Sequence, residues 1–151
     1  MSAWQEMEKE EIKADEGLRL TAYPDPLTKA EPYTIGYGHT GKDVKPGLVI
    51  TKEQADELFE TDFEEAVTEA AQAVPFFSAL DGARKGALVN LAFNLGGKKL
   101  AEFHGTLAAL DSGDYTSAAL HLMNSRYARQ VRGRAVRLAY RLRTGEYALR
   151  T

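Results

Sequence analysis

The 151-residue sequence contains no cysteine. That absence excludes a disulfide framework, a zinc–thiolate site and a cysteine nucleophile together, and leaves the redox compartment undetermined. Its three histidines, His39, His104 and His121, are too scattered to form a metal site, and nothing in the sequence implies a cofactor. No apolar run approaches the ~20 residues that a membrane span requires, so no stable membrane insertion is expected. The opening residues, MSAWQEMEKEE, have neither a basic nor an apolar signal region, which points to a soluble protein made in the cytosol. Internal repeats and low-complexity segments are also absent.

What is present is unevenly charged. Residues 1–72 hold 17 acidic against 7 basic side chains, and residues 73–151 hold 5 against 12. Such a division marks either a partner-binding half or two halves that pack on one another.

Helical and strand periods alternate along the chain. Ser2 with Gln5 reads as a capping box for a first helix running to about Asp15, with Glu6–Lys9 and Glu10–Lys13 as i,i+3 pairs and Gly17 as the stop. This leaves Glu16 at a helix C-terminus, where the macrodipole makes a carboxylate the least favourable choice. A period of two follows from Leu18, Pro24-Asp25-Pro26 makes a turn, and Tyr33–Tyr37 reads as a second strand whose Gly36 and Gly38 imply close backbone approach. Lys42–Gly47 reads as loop. Thr51 with Gln54 opens a long helix that ends near Pro75. Short helices occupy the remainder: a stripe from Ala83 to Leu95 closed by Gly96-Gly97, a segment near Thr106–Leu110, then Tyr115–Met123. Ser125 caps a brief turn, and the last helix has Ala135, Leu138, Ala139 and Leu142 on one face, with Arg134, Arg137 and Arg141 on another.

Paired carboxylates suit glycoside hydrolysis, in which one acid protonates the leaving oxygen and an ionised partner stabilises charge, attacks or activates water. Glu16 is the better acid candidate, because a helix C-terminus and burial both raise a carboxyl pKa. Asp25, in a Pro-flanked loop, is expected to stay ionised, and Thr34 brings a hydroxyl able to hold a water. The plainer reading of the same residues is a helix-terminal Glu and a turn-forming Asp.

Glu16-Gly17-Leu18-Arg19-Leu20, Tyr23-x-Asp25 and Tyr33-Thr34-Ile35-Gly36-Tyr37-Gly38-His39 resemble the amino-terminal site of the phage-type lysozymes (endolysins), most closely the T-even type. The similarity continues in unchanged order through Ile50-Thr51-Lys52, Ala55 to Asp62, Asn90, Phe93 to Gly96, Ser125-Arg126-Tyr127, Gln130, Arg134-Ala135 and Arg143-Thr144-Gly145. The resemblance implies Glu16 as general acid, Asp25 as the carboxylate that helps activate water and Thr34 as the hydroxyl that positions it. It further implies inverting hydrolysis of the bond between N-acetylmuramic acid and N-acetylglucosamine in peptidoglycan. Cleft contacts are implied at Thr40, Phe93, Thr106 and His121, with Asn94, Arg126 and Gln130 nearby. His39 matches a histidine paired to an aspartate, here Asp62, which would raise the histidine pKa, and Arg134 matches the arginine that faces the catalytic glutamate and opposes a raised acid pKa.

The fold so implied is α+β and lysozyme-like: a single domain, 1–151, with a small antiparallel β lobe at about 17–50, a connecting helix at 51–74, and a larger helical lobe from 1–15 and 75–151. A monomer is expected, acting on the cell wall after release from the host cytoplasm through a separate holin-type pore. The sequence departs from the T-even type in three places. The segment from His39 to Thr51 is shorter, so a short helix is expected to be missing; the Asp25–Thr34 loop is longer; and Tyr127 stands for a tryptophan.

The rivals are a lytic transglycosylase on the same glycan, a chitinase or chitosanase, and a nucleic-acid binder using Arg126, Arg129, Arg132, Arg134, Arg137, Arg141 and Arg143. A transglycosylase needs no water-activating pair, which Asp25 and Thr34 supply. The arginines have the spacing of a solvated face and no aromatic stacking platform, and the acidic half would repel phosphate.

Overall fold

The computed structural model describes residues 2–147. Among them, eight α-helices and a three-stranded antiparallel sheet make an α+β chain. The elements are α1 (Ala3–Glu16), β1 (Arg19–Tyr23), β2 (Thr34–Gly36), β3 (His39–Thr40), α2 (Lys52–Ala73), a 3-10 turn at Phe77–Ala79, α3 (Gly82–Leu95), α4 (Gly97–Ala101), α5 (His104–Ser112), α6 (Tyr115–Met123), α7 (Arg126–Val131) and α8 (Gly133–Thr144). They form two compact units, one of Lys9–Glu65 and one of the residues up to Glu8 together with those from Ala66 onward. The boundaries expected from sequence fall near residues 17, 51 and 75, whereas the units change inside α1 and inside α2. Residue 1 and residues 148–151, at the ends of the expected helical lobe, lie outside the described residues.

In the Lys9–Glu65 unit the sheet has too little apolar surface of its own, and helix segments complete the core. Ile12 of α1 and Ala55, Phe59 and Phe63 of α2 are buried, as are Ile35 of β2 and Val44. Phe59 meets Tyr37 edge-on at 5.7 Å between ring centroids. β1 pairs with β2 through Arg19↔Gly36 and Tyr23↔Thr34, with an irregularity between, and β2 pairs with β3 through Thr34↔Thr40 and Ile35↔His39. The two-residue β3 is an addition to the strands expected from sequence. Residues 41–50 contain no helix; Ala22 and Ile50 instead bond this segment to β1, donating to Leu48 and Leu20 carbonyls at 2.9 Å each. α2 starts with a reciprocal cap: Gln54 N–H donates to Thr51 Oγ1 at 3.1 Å, and Thr51 N–H to Gln54 Oε1 at 2.8 Å.

Both expected i,i+3 pairs in α1 are replaced. Lys9 Nζ lies 2.6 Å from Glu60 and Lys13 Nζ 3.7 Å from Asp56. The Lys13 ammonium also sits over the rings of Tyr37 and Phe59, at 5.1 and 5.0 Å. The physical reason is burial: Lys9 is 6% exposed, so its ammonium must be satisfied by whatever packs on that face of the helix rather than by a neighbour that points into solvent.

In the other unit α3 is buried along most of its length, and α6 packs against both α5 and α8. Leu138 and Leu142 of α8 are fully buried, a contribution of about 1.5–3 kcal/mol each. The C-terminus of α8 is closed by a side chain from α3. Arg84 donates Nε to the Leu142 carbonyl at 2.7 Å and Nη2 to the Arg143 carbonyl at 3.0 Å, while Nη1 meets Asp81 at 2.8 Å. Orphan helix carbonyls are thus satisfied where the dipole favours a cation.

Arg141, placed by sequence spacing on a solvated face, is 1% exposed. Its position lies next to Leu138 and Leu142 on the inward side of α8, so the helix period carries it into the core, where it finds the Glu8 carboxylate.

Candidate active site

Glu16 is the last residue of α1. The helix stops because Gly17 takes φ 71° while its N–H bonds back to the Lys13 carbonyl at 2.9 Å. The half-buried Glu16 carboxyl lies against the backbone of Gly38: a Cβ built at Gly38 would stand 2.6 Å from Glu16 Oε2. Gly38 also has φ 76°, so both backbone conformation and carboxyl contact demand glycine there. At Gly36 the requirement is φ 67°, since a Cβ there would meet Ala55 of α2 at an ordinary 3.6 Å.

Asp25 follows β1 by two residues and organises its own loop. Its Oδ1 accepts from the N–H groups of Leu27 at 2.8 Å and Thr28 at 3.1 Å, its carbonyl accepts from Lys29 at 2.7 Å, and its N–H donates to Ala30 at 3.1 Å. Oδ1 is therefore committed to the turn, while among the described residues Oδ2 accepts no hydrogen bond. Since Tyr23 pairs with Thr34, the strand register brings the Asp25 end of β1 beside β2. Thr34 Oγ1 is 2.8 Å from Thr40 Oγ1, and Thr40 Oγ1 donates to the Gly38 carbonyl at 3.4 Å. In that direction of donation Thr34 gives its proton to Thr40 and keeps its oxygen as an acceptor.

His39 is held from both sides. Nδ1 lies 2.7 Å from Asp62 Oδ2, and Nε2 2.9 Å from Asp43 Oδ2. The bond to Asp62, aided by Asp43, pushes the imidazole up to about 9 against the opposing effect of burial. Asp43 is held below the usual carboxylate range, first by its bond to His39. At neutral pH the ring is an imidazolium that donates from both nitrogens. The sequence pattern does not single out Asp43; its spacing of four from His39 in a loop is the available signal.

The second unit gathers four of the expected contact residues. Thr106, His121, Arg126 and Gln130 line one cavity of about 530 Å³, together with Phe103 and Tyr127. The ring of His121 lies flat on Gly105, where a Cβ would fall 2.6 Å from Nδ1. Ser125 accepts from Ala128 N–H at 3.2 Å and so starts α7, which carries Arg126 and Gln130. Phe93 and Asn94 are not among the lining residues of this cavity; Phe93 is half-buried on α3 and Asn94 exposed. Thr40 belongs to the other unit.

A buried polar network in the same unit is not foreseen by the sequence pattern. Glu8 is 0%, Asn90 0% and Arg141 1% exposed. Glu8 Oε1 accepts from Arg141 Nη1 and, at 3.0 Å, from the Tyr147 hydroxyl; Oε2 accepts from Asn90 Nδ2 at 2.8 Å. Asn90 Oδ1 in turn accepts from Arg134 Nε at 2.9 Å. Burial pushes the Glu8 carboxyl up, while Arg141, Asn90 and Tyr147 each pull the other way. The available signal is the i,i+4 stripe Trp4, Glu8, Ile12, which sets an acid between two apolar residues on one helix face.

Among the described residues no group of three or more acids and histidines is placed to hold a metal ion, and no helix is long and apolar enough to cross a membrane. Comparison with known proteins matches residues 13–144 to the family model described as phage lysozyme. The pre-baseplate central spike protein Gp5 of Enterobacteria phage T4 is 32% identical over 90% of this chain and 27% of its own length. An endolysin of Bacillus phage PZA is 41% identical over 56% of this chain and 32% of its own length. A probable T4-type lysozyme of Dictyostelium discoideum is 28% identical, with 91% of this chain and 94% of that protein aligned. The chain thus spans about a third or less of the two phage relatives.

Proposed function

The chain belongs to the phage lysozyme family, and on that premise we propose that it is a cell-wall hydrolase of the endolysin type. In this reading it cleaves the β-1,4 bond between N-acetylmuramic acid and N-acetylglucosamine of peptidoglycan, with inversion. Glu16 is the general acid that protonates the leaving glycosidic oxygen. Asp25 takes one proton of the attacking water, and Thr34 Oγ1 accepts a hydrogen bond from its other O–H, which stays on the product as the anomeric hydroxyl; a water lone pair is left to face the anomeric carbon. Thr40, Phe93, Asn94, Thr106, His121, Arg126 and Gln130 are assigned to substrate contact, with Arg134 as a cation serving the acid. His39 and Asp62 keep the strand that carries Thr40 in place.

The observation that supports this most is the division of labour at Asp25. Its Oδ1 is saturated by two backbone donors, which fixes the loop and leaves Oδ2 for a water beside an accepting threonine hydroxyl.

The test is reducing-end analysis and anomeric NMR of purified peptidoglycan treated with wild type, Glu16→Gln and Asp25→Asn. New reducing ends of inverted configuration with wild type, and none with folded Glu16→Gln, are expected. Anhydromuramic ends would replace this reading with a transglycosylase, and near-normal lysis by Glu16→Gln would remove the acid assignment.

A further inference from the structure

We propose that Glu8 is a positioning residue for the reaction: its buried carboxylate orients the amide of Asn90 so that the amide oxygen faces Arg134 and holds that guanidinium. The inference rests on the reading above in which Arg134 serves the active site, and it adds a residue outside that set.

The argument is one of donors and acceptors. Arg141 can only donate, which makes Glu8 Oε1 an acceptor that also takes the Tyr147 hydroxyl proton, and Arg134 Nε can only donate to Asn90. An asparagine amide has one acceptor end and one donor end. With a carboxylate on one side and Nε–H on the other, a single orientation satisfies both: Nδ2 toward Glu8 and Oδ1 toward Arg134. Reversal would set oxygen against carboxylate and N–H against N–H. Because Glu8 and Asn90 are both fully buried, no water is at hand to rescue the wrong orientation, and each unmet group carries its whole desolvation cost.

Room for the carboxylate is provided by Gly86 of α3. A Cβ there would fall 2.5 Å from both Glu8 Oε1 and the Tyr147 hydroxyl. Gly86 is thus a glycine inside a helix, costly by propensity, whose missing side chain is the space that the network fills.

The consequence is specific. In Glu8→Gln the introduced amide must turn its oxygen toward Arg141 and Tyr147, so its NH2 faces Asn90. Asn90 can accept from that NH2 only by turning Nδ2 toward Arg134, which loses the Arg134 bond; if it stays in place, two NH2 groups face each other in a buried site and the orientation of Asn90 is no longer fixed. Moving the charge one residue along repairs this. In the double variant Glu8→Gln/Asn90→Asp, the introduced glutamine donates its NH2 to the introduced carboxylate, whose second oxygen accepts from Arg134 Nε.

The experiment uses the full chain as wild type, Glu8→Gln, Asn90→Asp and the double variant, with peptidoglycan turnover and the Arg134 Nε–H resonance as readouts. That resonance is assigned by its disappearance in Arg134→Lys. Glu8→Gln is expected to lower kcat by about tenfold or more with KM little changed, and to move the Arg134 Nε–H signal away from its wild-type position. The double variant is expected to restore both. Wild-type turnover and an unmoved resonance in Glu8→Gln would overturn the proposal. So would a folded double variant that restores neither. If Glu8→Gln alone does not fold, the double variant decides, since the proposal requires it to fold and work. Should wild type release no peptidoglycan fragments, the functional reading fails, while the resonance still reports whether Glu8 holds Arg134.

Discussion

Around His39 two carboxylates grip one imidazole at 2.7 and 2.9 Å with the outer acid largely in water, whereas Glu8 meets Arg141 where neither side chain reaches solvent. Counting side chains alone, Asp43 is 64% exposed and Asp62 20%, against 0% for Glu8 and 2% for Arg141. Both clusters pair opposite charges, yet they do different work. The half-exposed one can change protonation and so makes stability depend on pH. The buried one is held in a single geometry by three donors and acts as a template for the groups it touches. Burial therefore decides whether an ion pair in this protein behaves as a titrating clamp or as a fixed frame.

The comparison breaks most sharply at Arg141. Replacing Arg141 by Met is expected to cost about 3–5 kcal/mol, because the Glu8 charge is left buried without its partner. Removing the charge as well, in Glu8→Leu/Arg141→Met, should reduce the loss to about 1–3 kcal/mol, the residual being the Asn90 amide without its acceptor; Tyr147 keeps the Trp4 carbonyl at 3.3 Å. Urea denaturation of the two variants measures both values. A double variant less stable than the single would show that the pair is held for its own attraction.

The half-exposed cluster predicts a pH window. His39 is raised from an ordinary value of 6.5 to about 9 in the folded protein. Its contribution is therefore fully present below about pH 6.5 and is lost as pH rises through about 9, an effect of at most about 3 kcal/mol. Thermal melts between pH 6 and 10 should fall across that window, and Asp62→Asn should flatten the fall. A wild-type profile as flat as that of the variant would deny the imidazolium its role. Asp43→Asn should act in the same direction by under about 1 kcal/mol, since its carboxylate is solvated.

Legibility from sequence follows the same line between exposed and buried chemistry. Thr51 with Gln54 is readable because a capping box is local, and both of its bonds form. Gly38 is readable as a close approach, although only the structure supplies the Glu16 carboxyl as the group approached; at Gly36 the expected close approach is replaced by a φ of 67° with ordinary packing on Ala55. The short elements β3 and α4 carry too few residues for a period to register. Lys9, Lys13, Glu8 and Arg141 mislead for one reason: charge marks the solvent face only on average, and their partners lie far away in the chain. At the candidate site the residue types come from resemblance to a family. The bonds of Asp25 Oδ1 to Leu27 and Thr28 are local to the turn that Pro24-Asp25-Pro26 marks, whereas the Thr34–Thr40 hydroxyl pair depends on strand register, which the sequence pattern does not determine.

The smallest effect is expected where exposure is greatest, at Lys52 and Asp56. Their side chains are 60% and 38% exposed, and Nζ lies 2.8 Å from Oδ2 at i,i+4 on α2. This pair looks better formed than that of Lys13 with Asp56 at 3.7 Å, yet two facts cancel it. Lysine stands N-terminal to the acid, the weaker orientation on a helix, and it is the first residue of α2, where the macrodipole disfavours a cation. Lys52→Ala gives up a solvated attraction and removes an unfavourable charge at the same time. Its melting temperature should be indistinguishable from wild type at low and high salt alike, because a pair in water has little to lose by screening. A drop comparable with that of Asp62→Asn would mean that short distance, rather than burial, ranks the ion pairs of this protein.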